Sequence, residues 1–278
     1  GWLYIYPNIQ YFGFFSIFSY TLPMSNDSEA KSTEIPKMDA ETLKGNTPSG
    51  SIHPITQVIN EIHAIFFFFF FTVAEGPQIE TEFYNFDALR TPKDHPSRDM
   101  QDTFWMRDVG PKGEKLVPRT HTSGVQVRYT ESHKPPFKII VPGKVFRNEA
   151  TDATHEAEFF QIEGMMVAKK VSMADLKGTL EFFAKEFFGP DAEIRFRPSY
   201  FSFVEPGVEI DVRWKDRWLE ILGGGLTHPE VLQNAGLDPK EWQAFAFGMG
   251  LDRLVMLKYG IDDIRHLYSG DLRLVNQF

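Results

Sequence analysis

The sequence predicts an α+β fold in which helices flank a mainly antiparallel sheet. From Phe104 onward, short segments rich in β-branched and aromatic residues follow one another, and such segments are typical of strands. Longer segments with apolar residues at helical spacing lie between some of them. Strands and helices do not alternate as they do in βαβ units, which disfavours a Rossmann fold.

The first helix is expected after His53-Pro54, because apolar residues from Ile55 to Ile65 recur at helical spacing. The further predicted helices cover 122–131, 172–188, 229–235 and 249–259. The predicted strands cover 104–107, 116–118, 137–149, 159–169, 193–197, 209–214 and 217–222. Six consecutive phenylalanines, Phe66 to Phe71, follow the first helix. We interpret this run as a peculiarity of the helix end rather than as a functional aromatic platform.

Composition limits the kinds of site that the chain can hold. With 278 residues, 42% of them hydrophobic, it can bury one sizeable domain, which we place at 51–278. It contains no cysteine and its eight histidines are scattered, so any metal would be bound by oxygen atoms. A net charge of −9 argues against a surface that coats nucleic acid, but it permits a local basic patch or a basic partner.

Residues 1–50 differ from the rest of the chain, and we expect them to be a leader that is disordered or in part non-native. The segment Gly1–Pro23 is aromatic but has no lysine or arginine, which disfavours a signal peptide. Pro7, Asn8 and Gln10 disfavour a membrane span. From Met24 onward the segment is polar, as in disordered leaders. A cytoplasmic protein without a membrane anchor is expected.

Alternation along two predicted strands places polar groups on shared faces. Arg147 and Glu149 point the same way, as do Phe159, Gln161 and Glu163 on the next strand. A guanidinium and a carboxylate so placed could hold a phosphate and an amino group. For an isolated Arg-x-Glu, an ordinary cross-strand ion pair would be the favoured explanation.

A third motif, Gly248 to Arg253, has glycines that let backbone approach a ligand, followed by a helix that carries Arg253. It does not match the dinucleotide pattern, because Arg253 stands where the third glycine should be. A Walker A motif is also absent, since Gly110-Pro111-Lys112-Gly113 lacks its spacing. The two arginine motifs together indicate an enzyme that activates a carboxylate with ATP.

From about His53 to Phe278 the chain resembles the catalytic α subunits of bacterial phenylalanyl-tRNA synthetases, which are class II aminoacyl-tRNA synthetases. The matching motifs are Asn85–Leu89, His95-Pro96, Gln101–Trp105, Arg119–Ser123, Phe146–Glu149, Phe159–Gly164, Gly248–Arg253 and Asp271–Arg273. The resemblance implies the class II synthetase catalytic fold. It also implies the synthesis of phenylalanyl adenylate from L-phenylalanine and ATP, followed by transfer to tRNA(Phe).

The resemblance implies a role for each matching residue in ATP binding. Arg147 and Arg253 match the catalytic arginines, which contact the α-phosphate and the γ-phosphate of ATP. Glu149 matches the residue that receives the adenine amino group, and Phe159 the ring that stacks on adenine. The further residues expected at ATP are His155, Gly248 and Gly250. Mg²⁺ would bridge the phosphates, with Glu220 as a candidate ligand.

The same resemblance predicts the amino acid pocket. Phe201 and Phe203 match the pair that packs on the substrate ring. Ala246 falls at the pocket floor, where its small side chain leaves space near the para position of the ring. A tyrosine hydroxyl would find no obvious partner there, so rejection of tyrosine is expected to be moderate. The remaining residues expected at phenylalanine are Trp105, His121, Ser123, Gln126, Gln161, Glu163 and Gly248.

The family implies an α2β2 assembly in which a β subunit supplies much of the tRNA binding. Three departures from the family pattern are Gly124, Phe160 and the phenylalanine run, and the family's N-terminal coiled coil is not recognisable in residues 1–50.

Two alternative functions remain. A synthetase for phosphoserine would need basic residues in place of Phe201 and Phe203, and a non-catalytic paralogue serving as a binding or regulatory module would be expected to lose a motif arginine.

Overall fold

A seven-stranded sheet is the largest element of the computed structural model, which describes residues 50–93, 98, 103–214 and 217–278. Its strands are β1 (Thr72–Val73), β4 (Phe137–Phe146), β5 (Glu158–Ala168), β6 (Ile194–Phe201), β7 (Val204–Trp214), β8 (Arg217–Thr227) and β9 (Gln243–Gly250). A two-stranded sheet is formed by β2 (Ile79–Thr81) and β3 (Leu116–Pro118). Residues 1–49 of the leader expected over 1–50, and the motif residues 95–96 and 101–102, lie outside the described residues.

The strand order in the large sheet is β1-β4-β5-β9-β8-β7-β6. Only the pairing of β1 with β4 is parallel among the described strands, so the sheet is mainly antiparallel as predicted. β5 lies between β4 and β9, where Glu163 is opposite Val141 on one side and Gly248 on the other. This register brings motifs that are far apart in sequence side by side.

The α-helices of the described residues are α1 (Pro54–Phe67), α2 (Glu82–Asn85), α3 (Ser123–Ser132), α4 (Met173–Phe188), α5 (Pro229–Asn234), α6 (Leu251–Tyr259) and α7 (Leu272–Val275). Short 3₁₀ helices cover Asp87–Leu89 and Ile264–Tyr268. Residues before three helices cap them: the imidazole of His53 accepts from the N–H of Ile55, and Ser172 forms a capping box with Asp175. His228 likewise caps α5 by accepting from Glu230.

The two faces of the sheet bury separate apolar clusters. On one face α1, α4 and α6 contribute Ile62, Phe183 and Leu254, which pack with Ile140 of β4. On the other face Val125 of α3 packs with the neighbouring strand residues Ile139 and Val141. Successive residues of β4 therefore point to opposite cores, as the pleat of a strand requires.

The structure differs from the predicted spans in three places. Residues 104–107 form no strand: Trp105 is 47% exposed, and its neighbour Val109 makes only an isolated bridge to Lys115. The strand 243–250 was not predicted, and a helix was expected from residue 249. The strand lacks the usual sequence pattern because several of its residues are small. Gly248 must be small, since a side chain there would crowd Glu163 on the adjacent strand. The strand predicted over 137–149 ends at Phe146.

The phenylalanine run ends α1 and turns the chain into β1. Phe66 and Phe71 are buried, and their rings contact edge to face with centroids 5.2 Å apart. Phe67, Phe68 and Phe70 are at least 74% exposed. Phe70 has a φ of +60°, a left-handed conformation that is costly for an aromatic residue. Among the described helices, none is both long enough and apolar enough to cross a membrane.

Candidate active site

A cavity of about 360 Å³ opens on the sheet face that carries Glu163, Ala246 and Gly248. Its lining includes ten of the residues expected at the substrates, namely His121, Ser123, Gln126, Arg147, Gln161, Glu163, Phe201, Phe203, Ala246 and Gly248. The candidate metal ligand Glu220 also lines it. Residues that lie up to 127 positions apart in the chain thus meet in one cavity.

Glu163 forms the polar centre of the cavity wall and is 5% exposed. Its carboxylate accepts hydrogen bonds from the N–H of Thr122 at 3.0 Å, from Oγ of Ser123 at 2.7 Å and from Nε2 of Gln126 at 2.9 Å. Ser123 and Gln126 reach it together because they lie three residues apart on α3. Burial raises the pKa of Glu163, and the hydrogen bonds oppose that rise.

Arg147 follows β4 and points into the same cavity. Its guanidinium lies 5.0 Å from the centroid of the Phe159 ring, and its Nη1 is 3.8 Å from Oε1 of Glu149. Its Nε donates to the carbonyl of Thr120 at 3.3 Å. Arg147 therefore contacts both Glu149 and Phe159, although Arg147 and Glu149 lie beyond the end of β4 and not on one strand face as predicted. Burial lowers the pKa of Arg147, which nevertheless stays charged at neutral pH.

Three polar atoms in the cavity wall have no hydrogen-bond partner among the described residues. They are Nδ1 of His121, Oε1 of Gln161 and Oγ1 of Thr227. Burial, and then the positive charge of Arg147, lower the pKa of His121 to about 4. The imidazole is therefore neutral at physiological pH and can offer a nitrogen lone pair or an N–H to a ligand. Unsatisfied buried groups of this kind are typical of binding sites.

Phe201 and Phe203 form the aromatic part of the wall. Their ring centroids are 5.8 Å apart and the planes are inclined by 25°. Phe201 lies against Gly223 of β8, where a Cβ atom would come within 2.9 Å of Cζ of Phe201. Glycine at this position leaves the ring room beside the cavity.

Six of the predicted site residues do not line the cavity: Trp105, Glu149, His155, Phe159, Gly250 and Arg253. Phe159 and Glu149 contact Arg147, as described above. Gly250 is opposite Gln161 in the sheet, and Arg253 follows it in the first turn of α6. Arg253 is exposed and has no hydrogen bond or ion pair within the described parts of the chain. Nδ1 of His155 lies 3.0 Å from Asp152, and Trp105 stacks on Phe86 instead.

The structure adds cavity residues that were not predicted, among them Glu209, Thr227 and Met165. Glu209 belongs to a charged network around Arg197, whose Nη2 lies 2.9 Å from Glu209 and 3.3 Å from Glu220. Alternation along β7 shows only that Glu209 and Asp211 share a face. Their closeness to Arg197 depends on strand pairing, which no local pattern shows. Across the described ranges, no group of three or more His, Cys, Asp or Glu side chains could hold a metal ion.

Comparison with known proteins agrees with this fold and site. The family model described as the tRNA synthetases class II core domain (F) matches residues 37–278. The phenylalanine–tRNA ligase alpha subunit of Bacillus subtilis is 53% identical over 252 residues, which cover 85% of this chain and 72% of that protein. The protein of the same name from Dehalococcoides mccartyi is 51% identical over 251 residues, with the same coverage of each chain.

A solved structure supports the fold. The pyrrolysyl-tRNA synthetase of Desulfitobacterium hafniense superposes with a TM-score of 0.60 at 16% identity, over 78% of this chain and 74% of that one. The predicted class II catalytic fold is thereby confirmed, as is the resemblance found in the motifs. The chain therefore belongs to the class II aminoacyl-tRNA synthetases, in the family of phenylalanine–tRNA ligase alpha subunits.

Proposed function

We propose that this chain activates L-phenylalanine with ATP and transfers it to tRNA(Phe). The observation that carries the proposal is one cavity that combines Glu163 and Arg147 with the aromatic pair Phe201 and Phe203. A free amino acid with an aromatic side chain needs these three features: an anion for its ammonium group, a cation for its carboxylate and an apolar wall for its ring. The similarity to phenylalanine–tRNA ligase alpha subunits supports the same substrate.

We assign the polar wall to the ammonium group of phenylalanine. The three donors around Glu163 hold its carboxylate in place and leave it able to accept from a ligand. Oε1 of Gln161 and the neutral ring of His121 supply further partners that the protein itself leaves unsatisfied. Phe201, Phe203 and Ala246 take the ring.

We assign the region around Arg147 to ATP. Its guanidinium would contact both the α-phosphate and the substrate carboxylate, so that its charge offsets the charge that develops when the carboxylate oxygen attacks phosphorus. Phe159 would stack on adenine and Glu149 would accept from its amino group. Arg253, which has no ion-pair partner in the described chain, remains available for the γ-phosphate, with the backbone at Gly248 and Gly250 nearby in sequence. His155 would assist at the phosphates.

Mg²⁺ is proposed as the counterion of the phosphates. The ion usually binds to one or two carboxylates together with substrate phosphates, so the lack of a larger acidic cluster in the described residues is compatible with it. Glu220 lines the cavity and is 54% exposed at its side chain, which leaves it accessible, and Glu209 lies near it. Mg²⁺ would neutralise phosphate charge, and Arg197 would keep both carboxylates in position.

No side chain needs to act as a nucleophile in this reaction. The carboxylate oxygen forms a bond to the α-phosphorus, pyrophosphate leaves with the electrons of the broken bond, and the terminal ribose hydroxyl of tRNA then displaces AMP from the adenylate. The protein contributes positioning and fixed charge.

The name of the relatives as alpha subunits supports a β subunit as partner, and we propose an α2β2 assembly that binds tRNA(Phe) in the cytoplasm.

The test of the proposed activity is phenylalanine-dependent exchange between pyrophosphate and ATP, measured on the chain mixed with a bacterial β subunit. Exchange that Arg147→Ala abolishes and Arg213→Ala preserves would support the proposal, since Arg213 pairs with Glu193 at the surface. A folded complex without exchange for any amino acid would favour the non-catalytic paralogue.

A further inference from the structure

Thr227 contributes a buried hydroxyl to the cavity. The residue is 8% exposed, lies at the end of β8 and lines the cavity. Its Oγ1 has no hydrogen-bond partner among the described residues. A buried hydroxyl without a partner costs stability, so an available partner would bind to it favourably.

The sheet register places Thr227 at the ring end of the cavity. Glu163 is opposite Gly248 on β9, which is opposite Gly223 on β8. Thr227 lies four residues beyond Gly223 and therefore about 13 Å further along the strand direction. Side chains at 223, 225 and 227 point to the same face.

The register neighbours of Thr227 and the nearby lining residues are small or apolar. Gly225, two residues before it, is opposite Ala246 of β9, the residue expected near the para position. Val231 and Ala235 also line the cavity, and both are apolar. The cavity lining thus combines the hydroxyl of Thr227 with these apolar side chains.

Thr130 shows why Thr227 is distinctive. It lines the same cavity and is 3% exposed, but its hydroxyl donates to the carbonyl of Gln126 at 2.8 Å. This hydrogen bond within α3 uses the hydroxyl proton of Thr130, so Thr130 cannot donate that proton to a ligand. The hydroxyl of Thr227 retains both its proton and its lone pairs for a ligand.

We infer that Thr227 is a specificity-determining residue, whose hydroxyl pairs with a ring hydroxyl and so lets this site activate tyrosine more readily than an all-apolar pocket would. The inference rests on the proposed function and replaces the expectation that a tyrosine hydroxyl finds no partner here. An apolar pocket discriminates weakly against an added hydroxyl, and a hydrogen-bond partner weakens that discrimination further.

The test compares kcat/KM for pyrophosphate exchange with L-phenylalanine and with L-tyrosine, without tRNA, in the complex with a β subunit. Thr227→Val keeps the shape of the side chain and removes its hydroxyl, so the phenylalanine-to-tyrosine ratio should rise about tenfold. Thr227→Ser keeps the hydroxyl and should keep the ratio near that of the wild type. Thr179→Val is the matched control, because Thr179 is also 8% exposed but lies on α4 outside the cavity.

Each outcome separates the inference from the proposed function. A ratio that rises with Thr227→Val, but not with Thr227→Ser or Thr179→Val, supports the role of the hydroxyl. Phenylalanine exchange with an unchanged ratio in a Thr227→Val protein of native thermal stability overturns the inference alone. Absence of phenylalanine exchange in the wild-type complex overturns the proposed function and the inference with it.

Discussion

Asp252 accepts a hydrogen bond from the backbone N–H of Phe160, with 2.6 Å between its Oδ2 and the nitrogen. The hydroxyl of Tyr268 donates to the other carboxylate oxygen. Asp252 immediately precedes Arg253 at the start of α6, and Phe160 stands between Phe159 and Gln161 on β5. One buried carboxylate therefore ties the helix that carries the proposed γ-phosphate arginine to the strand beside the cavity.

This carboxylate predicts a pH dependence of stability. Burial raises the pKa of Asp252 from 3.8 to about 6. Because its pKa is higher in the folded than in the unfolded chain, its contribution to the free energy of unfolding is largest below pH 3.8 and is lost as the pH rises through about 6. Relative to Asp252→Asn, which cannot ionise, the wild type should lose about 2–3 kcal/mol between pH 4 and 7.

Urea unfolding of both proteins at several pH values would measure this difference. Asp262→Asn serves as the control, because Asp262 is an exposed acid in the segment that follows α6. A constant difference between wild type and Asp252→Asn across this pH range would contradict the raised pKa.

Glu163→Gln should weaken phenylalanine binding more than it weakens the fold. The substitution keeps the size of the side chain but removes the charge proposed to hold the substrate ammonium group, so KM for phenylalanine should rise about 10- to 100-fold. Exchange kinetics would measure this effect. Glu158→Gln on the same strand is the control, since Glu158 pairs with Lys144 and is 44% exposed. Equal effects of the two substitutions would argue against the assigned role.

Gly143 is required for the placement of Arg119. A Cβ at this position would overlap the guanidinium of Arg119, which is 4% exposed and donates to the carbonyl of Lys144 at 2.8 Å. Gly143→Ala should therefore destabilise the protein by about 2–4 kcal/mol. Gly178→Ala, in the middle of α4 with open space around it, should stabilise by about 0.5–1 kcal/mol. Chemical denaturation of both variants tests the pair, and a shared sign would refute the explanation.

Phe70→Gly should stabilise the chain although it removes a large side chain. Phe70 is 86% exposed and has a φ of +60°, so glycine relieves strain while little packing is lost. The expected gain is about 1 kcal/mol. Phe68→Gly is the matched control, because Phe68 is 76% exposed but has an ordinary φ of −62°. Its replacement should cost about 0.5–1 kcal/mol, and thermal unfolding that ranks the two variants in the opposite order would contradict the prediction.

Local patterns predict those parts of the fold that depend on neighbouring residues. The start of α4 follows from the Ser172–Asp175 capping box. They fail where tertiary pairing decides. β9 consists largely of alanine, glycine and phenylalanine, and its small residues are explained only by Glu163 on the next strand. Thr227 similarly became a site residue only when the register of β8 was known.

The position of β9 has a consequence for synthesis on the ribosome. β9 pairs with β5 on one side and with β8 on the other, yet it is made last of the three. A nascent chain that has not reached residue 243 presents two unpaired strand edges, and unpaired edges invite association with other chains. Because β9 supplies Ala246 and Gly248 to the cavity, adenylate chemistry must await translation of β9. A chaperone that shields β5 and β8 until then would protect the growing protein from aggregation.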